Sequence, residues 1–483
     1  MASRNTNIWH SLDWMTVILY LILVFCGWVS IYAASYDFDN ASIFDFAERS
    51  GKQLMWIGFS ILLAFMILMV DFRVYETYAY LFYGIIILLL VVTIFLAPDI
   101  KGSRSWLVLG PVSLQPAEFA KFATALALAR SFGTYGFSLK NKRDLFRVVL
   151  MILLPMALII AQKETGSALV FASLIFMLYR EGLSGLFLFY GLCAIVYFVV
   201  AVKYSGDMWG TVAAGEVLVF ILILLVVAGM LWLYQRNGRA ARYLLLAYLA
   251  IAAVCGILVY FGVEVNALYV CVGTTVAVAV YSLVLYFSSR SLRILTILAT
   301  AIVSVAFLFS VDYAFNDVLE PHQQKRIKVA LGMEEDLRGA GYNVNQSKIA
   351  IGSGGFWGKG LLNGTQTKLK YVPEQDTDFI FCTIGEEEGF WGAAGVVVLF
   401  VTLIFRVIAI GERQYSAFGR VYAYCVASIL FFHLAVNVGM VIGLCPVIGI
   451  PLPFFSYGGS SLWGFTILLF VLLRIDASRT ERH

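Results

Sequence analysis

Charge is scarce in this chain: Asp, Glu, Lys and Arg make up 13% of its 483 residues, while 61% are hydrophobic and 15% are aromatic. A soluble globular domain carries roughly a quarter charged residues, so the scarcity excludes a soluble fold and points to a chain that crosses a membrane many times. The net charge of +4 is too small to suggest nucleic acid as a partner. Cysteines stand apart, at 26, 193, 255, 271, 382, 425 and 445, with no CxxC pair and no cysteine–histidine cluster. They build neither a disulfide framework nor a zinc site. There is no fixed-period repeat, no heptad array and no low-complexity linker. The N-terminus, MASRNTNIWHSLD, lacks a short apolar region with a small-residue cleavage site and runs straight into a long apolar span, which reads as an uncleaved signal anchor.

What is present is a series of hydrocarbon-length apolar runs. A membrane helix needs about 20 mostly apolar residues. On that rule spans fall near 14–34, 53–70, 77–97, 116–132, 148–162, 168–180, 183–203, 214–234, 243–262, 267–288, 294–312, 388–410, 421–444 and 459–475. The expected fold is therefore an all-α polytopic membrane protein with about fourteen transmembrane helices. With the N-terminus placed in the cytoplasm, every connection on that side carries arginine, from Arg73 through Arg130, Arg180, Arg236, Arg290 and Arg413 to Arg479. This positive-inside pattern puts both termini in the cytoplasm and residues 311–378 outside it. That segment holds about a quarter of all charged residues in about a seventh of the length. Its backbone and charged groups would find no partners in hydrocarbon.

Three shorter polar stretches share a side with this loop: KGSRSWLVLGPVSLQPAEF, QKETGS at 162–167, and CPVIGIPLPFFSYGGSS before the last span. Non-helical backbone at membrane depth persists only inside protein or around a cavity, so the four segments are expected to enclose one extracytoplasmic cavity. Asp336, followed closely by Gly339 and Gly341, is either a solvated charge beside Glu334 and Glu335 or a general base in a half-dry site. GSGGFWGKG at 352–360 fails as a phosphate loop, because Ser353 stands where the first glycine belongs and no Ser or Thr follows Lys359. It is expected to form a tight loop, with Lys359 pairing to an anionic group. Asp378 is either a helix cap or a reacting group. Glu118 and Lys121, three apart on an apolar span, and Glu164 in the break near 162 are either a structural ion pair or substrate and proton chemistry. Arg104 and Arg326 suit phosphate through the bidentate guanidinium fork.

Five blocks carry a resemblance: GSRSWLVLGPVSLQPAEFAKFA, QKETGSALV, DLRGAGYNVNQSKIAIGSGGFWGKG, GTQTKLKYVPEQDTDFIFCTIGEEEG and GIPLPFFSYGGSS. In this order, between residues 102 and 461, they resemble the signature blocks of the SEDS family of cell-wall proteins. GTQ at 364–366, IGSGG at 351–355 and the 449–461 block lie nearer to its RodA branch, which serves elongation, than to its FtsW branch, which serves division. The resemblance implies a peptidoglycan glycosyltransferase that polymerises lipid II, the lipid-linked disaccharide, at the outer face of the plasma membrane. It implies that Asp336 is the catalytic base and matches Trp106, Glu118, Lys121, Gly458 and Gly459 to family positions; together with Arg104, Glu164, Arg326, Lys348, Lys359, Gln366, Asp378 and Ser456 these are the residues expected to bind substrate. It also implies partnership with a class B penicillin-binding protein and other membrane proteins of the elongation complex. A divalent cation, Mg or Mn, is an optional aid. A flippase for lipid-linked precursors is the alternative from another class, and a non-catalytic scaffold is a third.

The chain departs from the family pattern in three places. Leu337 follows the aspartate where proline is usual. Gln162-Lys163-Glu164 stands for Gln-Pro-Asp. The surplus over a ten-helix core is about four spans, placed within 204–312. The organisation expected is thus core at 1–203, inserted helices at 204–312, a large loop at 313–387, and core again at 388–483.

Overall fold

The computed structural model describes residues 8–36, 45–46, 48–100, 102–110, 112–209, 212–263, 265–334, 339 and 341–479. About three quarters of them are helical, and the chain divides into two compact units, one of Met1–Ser184 with Leu337–His483 and one of Gly185–Asp336. Among the described residues, twelve helices are long and apolar enough to cross a membrane. Two of the fourteen expected spans are shorter helices. Pro116–Phe132 has 17 residues, about 26 Å at 1.5 Å per residue against a hydrocarbon core of about 30 Å. Thr165–Arg180 is interrupted by the 3-10 turn Phe171–Ser173. Protein rather than lipid surrounds most of Pro116–Phe132: Ala117, Ala120, Ala123, Ala125, Ala127 and Ala129 are all buried. A helix enclosed by neighbours does not have to match the bilayer, and small side chains let those neighbours approach.

In the first unit the helices Ala417–Val441 and Gly459–Ala477 run through the core, and Pro116–Phe132 packs against both. Trp14–Ser35, Arg49–Met69, Ala79–Leu96, Lys142–Ala161 and Gly389–Glu412 stand around them and turn side chains such as Phe25, Leu62, Phe95 and Phe405 outward. An apolar exterior is what a lipid-facing helix requires. Polar ties cross the core: the Tyr20 hydroxyl lies 3.0 Å from Thr466 Oγ1 and 3.3 Å from Ser60 Oγ. At one end of the bundle Asp13 caps the first span, accepting from the Thr16 N–H at 3.1 Å, and also receives Arg406 at 2.7 Å and Arg413 at 2.8 Å. Burial alone would raise the Asp13 carboxyl, but these donors outweigh it and hold the pKa at about 2.

The second unit is a bundle of Leu186–Lys203, Ala214–Leu233, Gly238–Tyr260, Ala267–Ser289 and Leu292–Tyr313. Val219, Ile223, Val227 and Leu231 recur every fourth residue and bury one stripe of their helix, against which Ile297, Ala301 and Leu308 pack. Leu292–Tyr313 continues through a π turn at Ala314–Val318 to Pro321–Ala330, whose start is a capping box between Glu320 and Gln323. The polar segment expected as loop thus contains helices, and in the first unit it contributes Tyr342–Gly354, Thr365–Lys368 and Ile380–Glu387.

Candidate functional site

Four stretches distant in sequence meet in the first unit. Leu107–Leu109 and Val112–Leu114 form a small antiparallel hairpin, with Gly110 at φ +65° in its turn. The hairpin leads into Pro116–Phe132, where Pro116 occupies the first helical position, which has no use for an N–H. The Ser460 hydroxyl donates to the Ser113 carbonyl at 3.0 Å and accepts the Gln115 N–H at 3.3 Å, joining the hairpin to the final helix. The Gln115 amide donates to Glu164 Oε1 at 2.9 Å, and the Arg104 N–H donates to the Gln162 carbonyl at 3.0 Å. Arg104 and the break at 162–164 are therefore adjacent, and the Arg104 side chain is exposed. Trp106, half-buried, immediately precedes the hairpin. Gly166 lets the helix after the break lie against the last turn, since a Cβ there would stand 2.1 Å from the Ile448 carbonyl oxygen.

The 449–461 turn is held from both sides. Ser456 Oγ donates to the Thr377 carbonyl at 2.6 Å and accepts from the Leu452 N–H at 2.8 Å. The Asn437 amide donates at 2.8 Å to the carbonyls of Asp378 and Ile450 alike. The Gly458 N–H, at φ +153°, donates to Gln53 Oε1 at 3.2 Å, and the Trp56 indole packs on Gly459. Asp376 pairs with Arg49, whose guanidinium is half exposed beside the Tyr457 ring.

Beneath this turn lies a buried trio. Lys121 Nζ donates to both oxygens of Glu118, at 2.8 and 2.9 Å, and lies 3.0 Å from His433 Nε2. His433 Nδ1 is 3.0 Å from the Pro451 carbonyl, which can only accept, so Nδ1 carries the proton and the Nε2 lone pair faces the ammonium. All three ammonium protons are thereby used, and none remains in this arrangement for a pyrophosphate. The structural reading of the Glu118–Lys121 pair has the geometry on its side: the trio ties Pro116–Phe132 to Ala417–Val441 and, through Pro451, to the turn.

The loop residues gather around a different carboxylate. Glu386, fully buried, accepts from Lys359 Nζ at 2.7 Å and from the N–H groups of Gln366 and Thr367 at 2.9 Å each. Burial would raise its pKa, but Lys359 and the two amides more than offset this and lower it. Glu387, next in sequence, is buried with Oε1 lacking a hydrogen-bond partner. Desolvation pushes it up to about 7 against the backbone donors at Leu362 and Gly364. The anionic partner expected for Lys359 is thus a side chain of this chain. Gln366 joins by its backbone, while its Oε1 is buried without a partner. Lys348 is exposed, with its ammonium against Gly443. Arg326 is exposed on Pro321–Ala330 of the second unit. Asp336 lies outside the described residues.

His433, Asn437 and Arg49 were not singled out from sequence. A lone histidine and a lone asparagine inside an apolar span are a usable signal for an internal polar tie. Among the described residues no group of three or more His, Cys, Asp or Glu side chains is placed to share a metal ion.

Many apolar helices around an enclosed polar turn define a multi-pass membrane protein whose candidate site is built from broken helices and the segment 341–387. A family model described as a cell cycle protein, FTSW_RODA_SPOVE, matches residues 13–213 and 213–481. The peptidoglycan glycosyltransferase RodA of Treponema pallidum (strain Nichols) is 31% identical over 468 residues, 96% of this chain and 97% of that one. Stage V sporulation protein E of Bacillus subtilis (strain 168) is 28% identical over 493 residues, spanning 100% of both. The chain belongs to the SEDS family and is RodA-like. Among solved structures, a chain of a peptidoglycan synthase complex covers 97% of this chain and 98% of its own, with TM-score 0.57 and 22% identity. Thermus thermophilus RodA covers 97% of each chain, with TM-score 0.54 and 22% identity. At that identity the two structures speak for the fold.

Proposed function

We propose that this chain is a peptidoglycan glycosyltransferase that polymerises lipid II into glycan strands for cell-wall elongation. The observation that carries the reading is 31% identity along 96% of the chain to a protein named for that activity. The arginine pattern supports a plasma-membrane frame with both termini in the cytoplasm and the polar segment outside. The finer topology proposed is fourteen helices, a ten-helix core with four inserted, and one large extracytoplasmic loop.

Outside the cytoplasm no nucleotide is supplied, so a synthetic reaction needs a substrate that arrives activated. A polyprenyl-pyrophosphate sugar is one. Asp336 takes the proton of the acceptor hydroxyl, that oxygen attacks the anomeric carbon of the donor, and the bond to pyrophosphate breaks, inverting the centre. With Lys121 engaged by Glu118 and His433, the exposed Arg104 and Lys348 of the first unit are the better candidates to receive the developing phosphate charge; Arg326 is a candidate on its residue type alone. Trp106, Glu164, Asp378 and the Ser456–Gly459 turn shape the substrate pocket. A class B penicillin-binding protein and other elongation-complex membrane proteins are the proposed partners. The test is product formation from lipid II by the purified chain in detergent, where no transbilayer step exists. Polymer supports the enzyme; its absence under conditions that preserve the fold overturns it in favour of a precursor flippase.

A further inference from the structure

Four large aromatic side chains lie in the open at one place in the first unit. Phe356 and Trp357 are 68% and 84% exposed, and Phe390 and Trp391 are 55% and 60% exposed. Phe356 meets Phe390 edge-on at 5.8 Å between ring centroids, and Phe390 meets Trp391 at 5.6 Å. Phe390 and Trp391 belong to the first turn of the span Gly389–Glu412, whose outward side continues through Val398 and Phe405. Their exposure is therefore exposure to lipid. Phe356 and Trp357 belong to no span; they sit in the turn after Tyr342–Gly354.

That turn cannot slide along the span. The N–H groups of Phe390 and Trp391 donate to the carbonyls of Gly355 and Phe356 at 2.9 and 3.4 Å, and those of Lys359 and Gly360 donate to Glu386 and Glu387 at 3.1 and 2.9 Å. Two glycines with positive φ permit the approach. A Cβ on Gly358 (φ +73°) would stand 2.0 Å from the Glu387 oxygen, and one on Gly389 (φ +67°) would stand 2.3 Å from the Gly358 nitrogen. Bonded to the first residues of the span, the turn lies within about one helical turn, about 5 Å, of its start. This is the depth at which bilayers favour aromatic rings, with the ring in the acyl boundary and the indole N–H wet.

We propose that the 355–358 turn is a membrane-interface foot. Phe356 and Trp357 insert beside Phe390 and Trp391 into the headgroup–acyl boundary of the leaflet in which Gly389–Glu412 begins, and lipid, not a second protein, occupies this aromatic face. Through the bond between Lys359 and Glu386, the foot sets the depth of the segment around Thr365–Lys368 relative to the bilayer surface. The inference goes beyond the glycosyltransferase reading and stands or falls separately from it.

The test uses the full chain in phosphatidylcholine proteoliposomes containing lipids brominated either just below the headgroup or near the chain end. Trp357→Phe isolates by difference the emission of one tryptophan among 10. The expected result is that this difference emission is lost with shallow bromines and largely kept with deep ones. Difference emission that neither lipid quenches, as for a ring in water or under protein, overturns the proposal, and so does preferential quenching by deep bromines. Phe356→Trp supplies an independent reporter, with added emission that must show the same shallow quenching. Gly358→Ala, which forces the turn off the span, must weaken it.

Discussion

Two buried lysine–glutamate pairs in the same unit solve one electrostatic problem in opposite ways. Lys121 and Glu118 come from a single helix, with side chains only 3% and 2% exposed, and the ammonium also meets a histidine and the Phe465 ring from two other spans. Glu386 is equally buried, but its lysine is partly exposed and two backbone N–H groups share the carboxylate. The first carboxylate depends on one ammonium, and the second keeps donors if its lysine is lost. The first pair therefore decides which helices stand together, and the second decides the path of the polar segment.

Several substitutions break or sharpen that contrast. The largest effect is expected from Lys121→Met, which leaves Glu118 without its partner inside the bundle, a loss of about 3–5 kcal/mol. It is read as a fall in thermal midpoint in detergent. Adding Glu118→Leu should restore most of the loss, because an apolar replacement of both partners is close to neutral. A double variant as unstable as the single one would break the comparison. Lys359→Met should cost less, about 1.5–3 kcal/mol, the worth of one hydrogen bond to a charged group. Its effect should appear as faster amide hydrogen exchange over 359–368 rather than global unfolding. His433→Phe should cost as much, roughly 1.5–3 kcal/mol, because it removes an acceptor from a buried ammonium that keeps its carboxylate and a donor from the Pro451 carbonyl.

The last effect is a pH dependence, of opposite sign for Glu386 and its neighbour. The lowered pKa of Glu386 gives stability that is present above the ordinary glutamate value of 4.5 and is lost as pH falls through the lower folded value. Glu387 has the opposite sign. With its pKa raised to about 7, its contribution is full below 4.5 and is lost as pH rises through 7. Hydrogen exchange over 380–387 should accelerate between those values, and Glu387→Gln should flatten the profile. An unchanged profile in that variant would assign the titration elsewhere.

Much of this architecture was legible because lipid imposes a plain rule on sequence. The long spans had to be apolar, and the breaks at 162–164 and 449–458 showed as polar or glycine-rich residues where helix would otherwise continue. The two short helices were legible at 116–132 and 168–180, short lengths included; what the sequence does not carry is why they can be short, since their shielding by neighbours is a tertiary fact. The pairings were the illegible part. Arg49 meets Asp376 across 327 residues and Lys121 meets His433 across 312, and no local pattern encodes either. The sequence marks Lys359 as a cation in need of an anion but not which one; the close approach of Gly354 to Gly385 helps bring Glu386, 27 residues on, to it. Asp336 rests on its motif alone.

The most direct measurement is therefore glycan polymerisation from lipid II by the purified chain beside an Asp336→Ala variant with an unchanged thermal midpoint. The account predicts polymer from the first and none from the second. Normal polymer from the folded variant would contradict the assignment of Asp336 as the catalytic base.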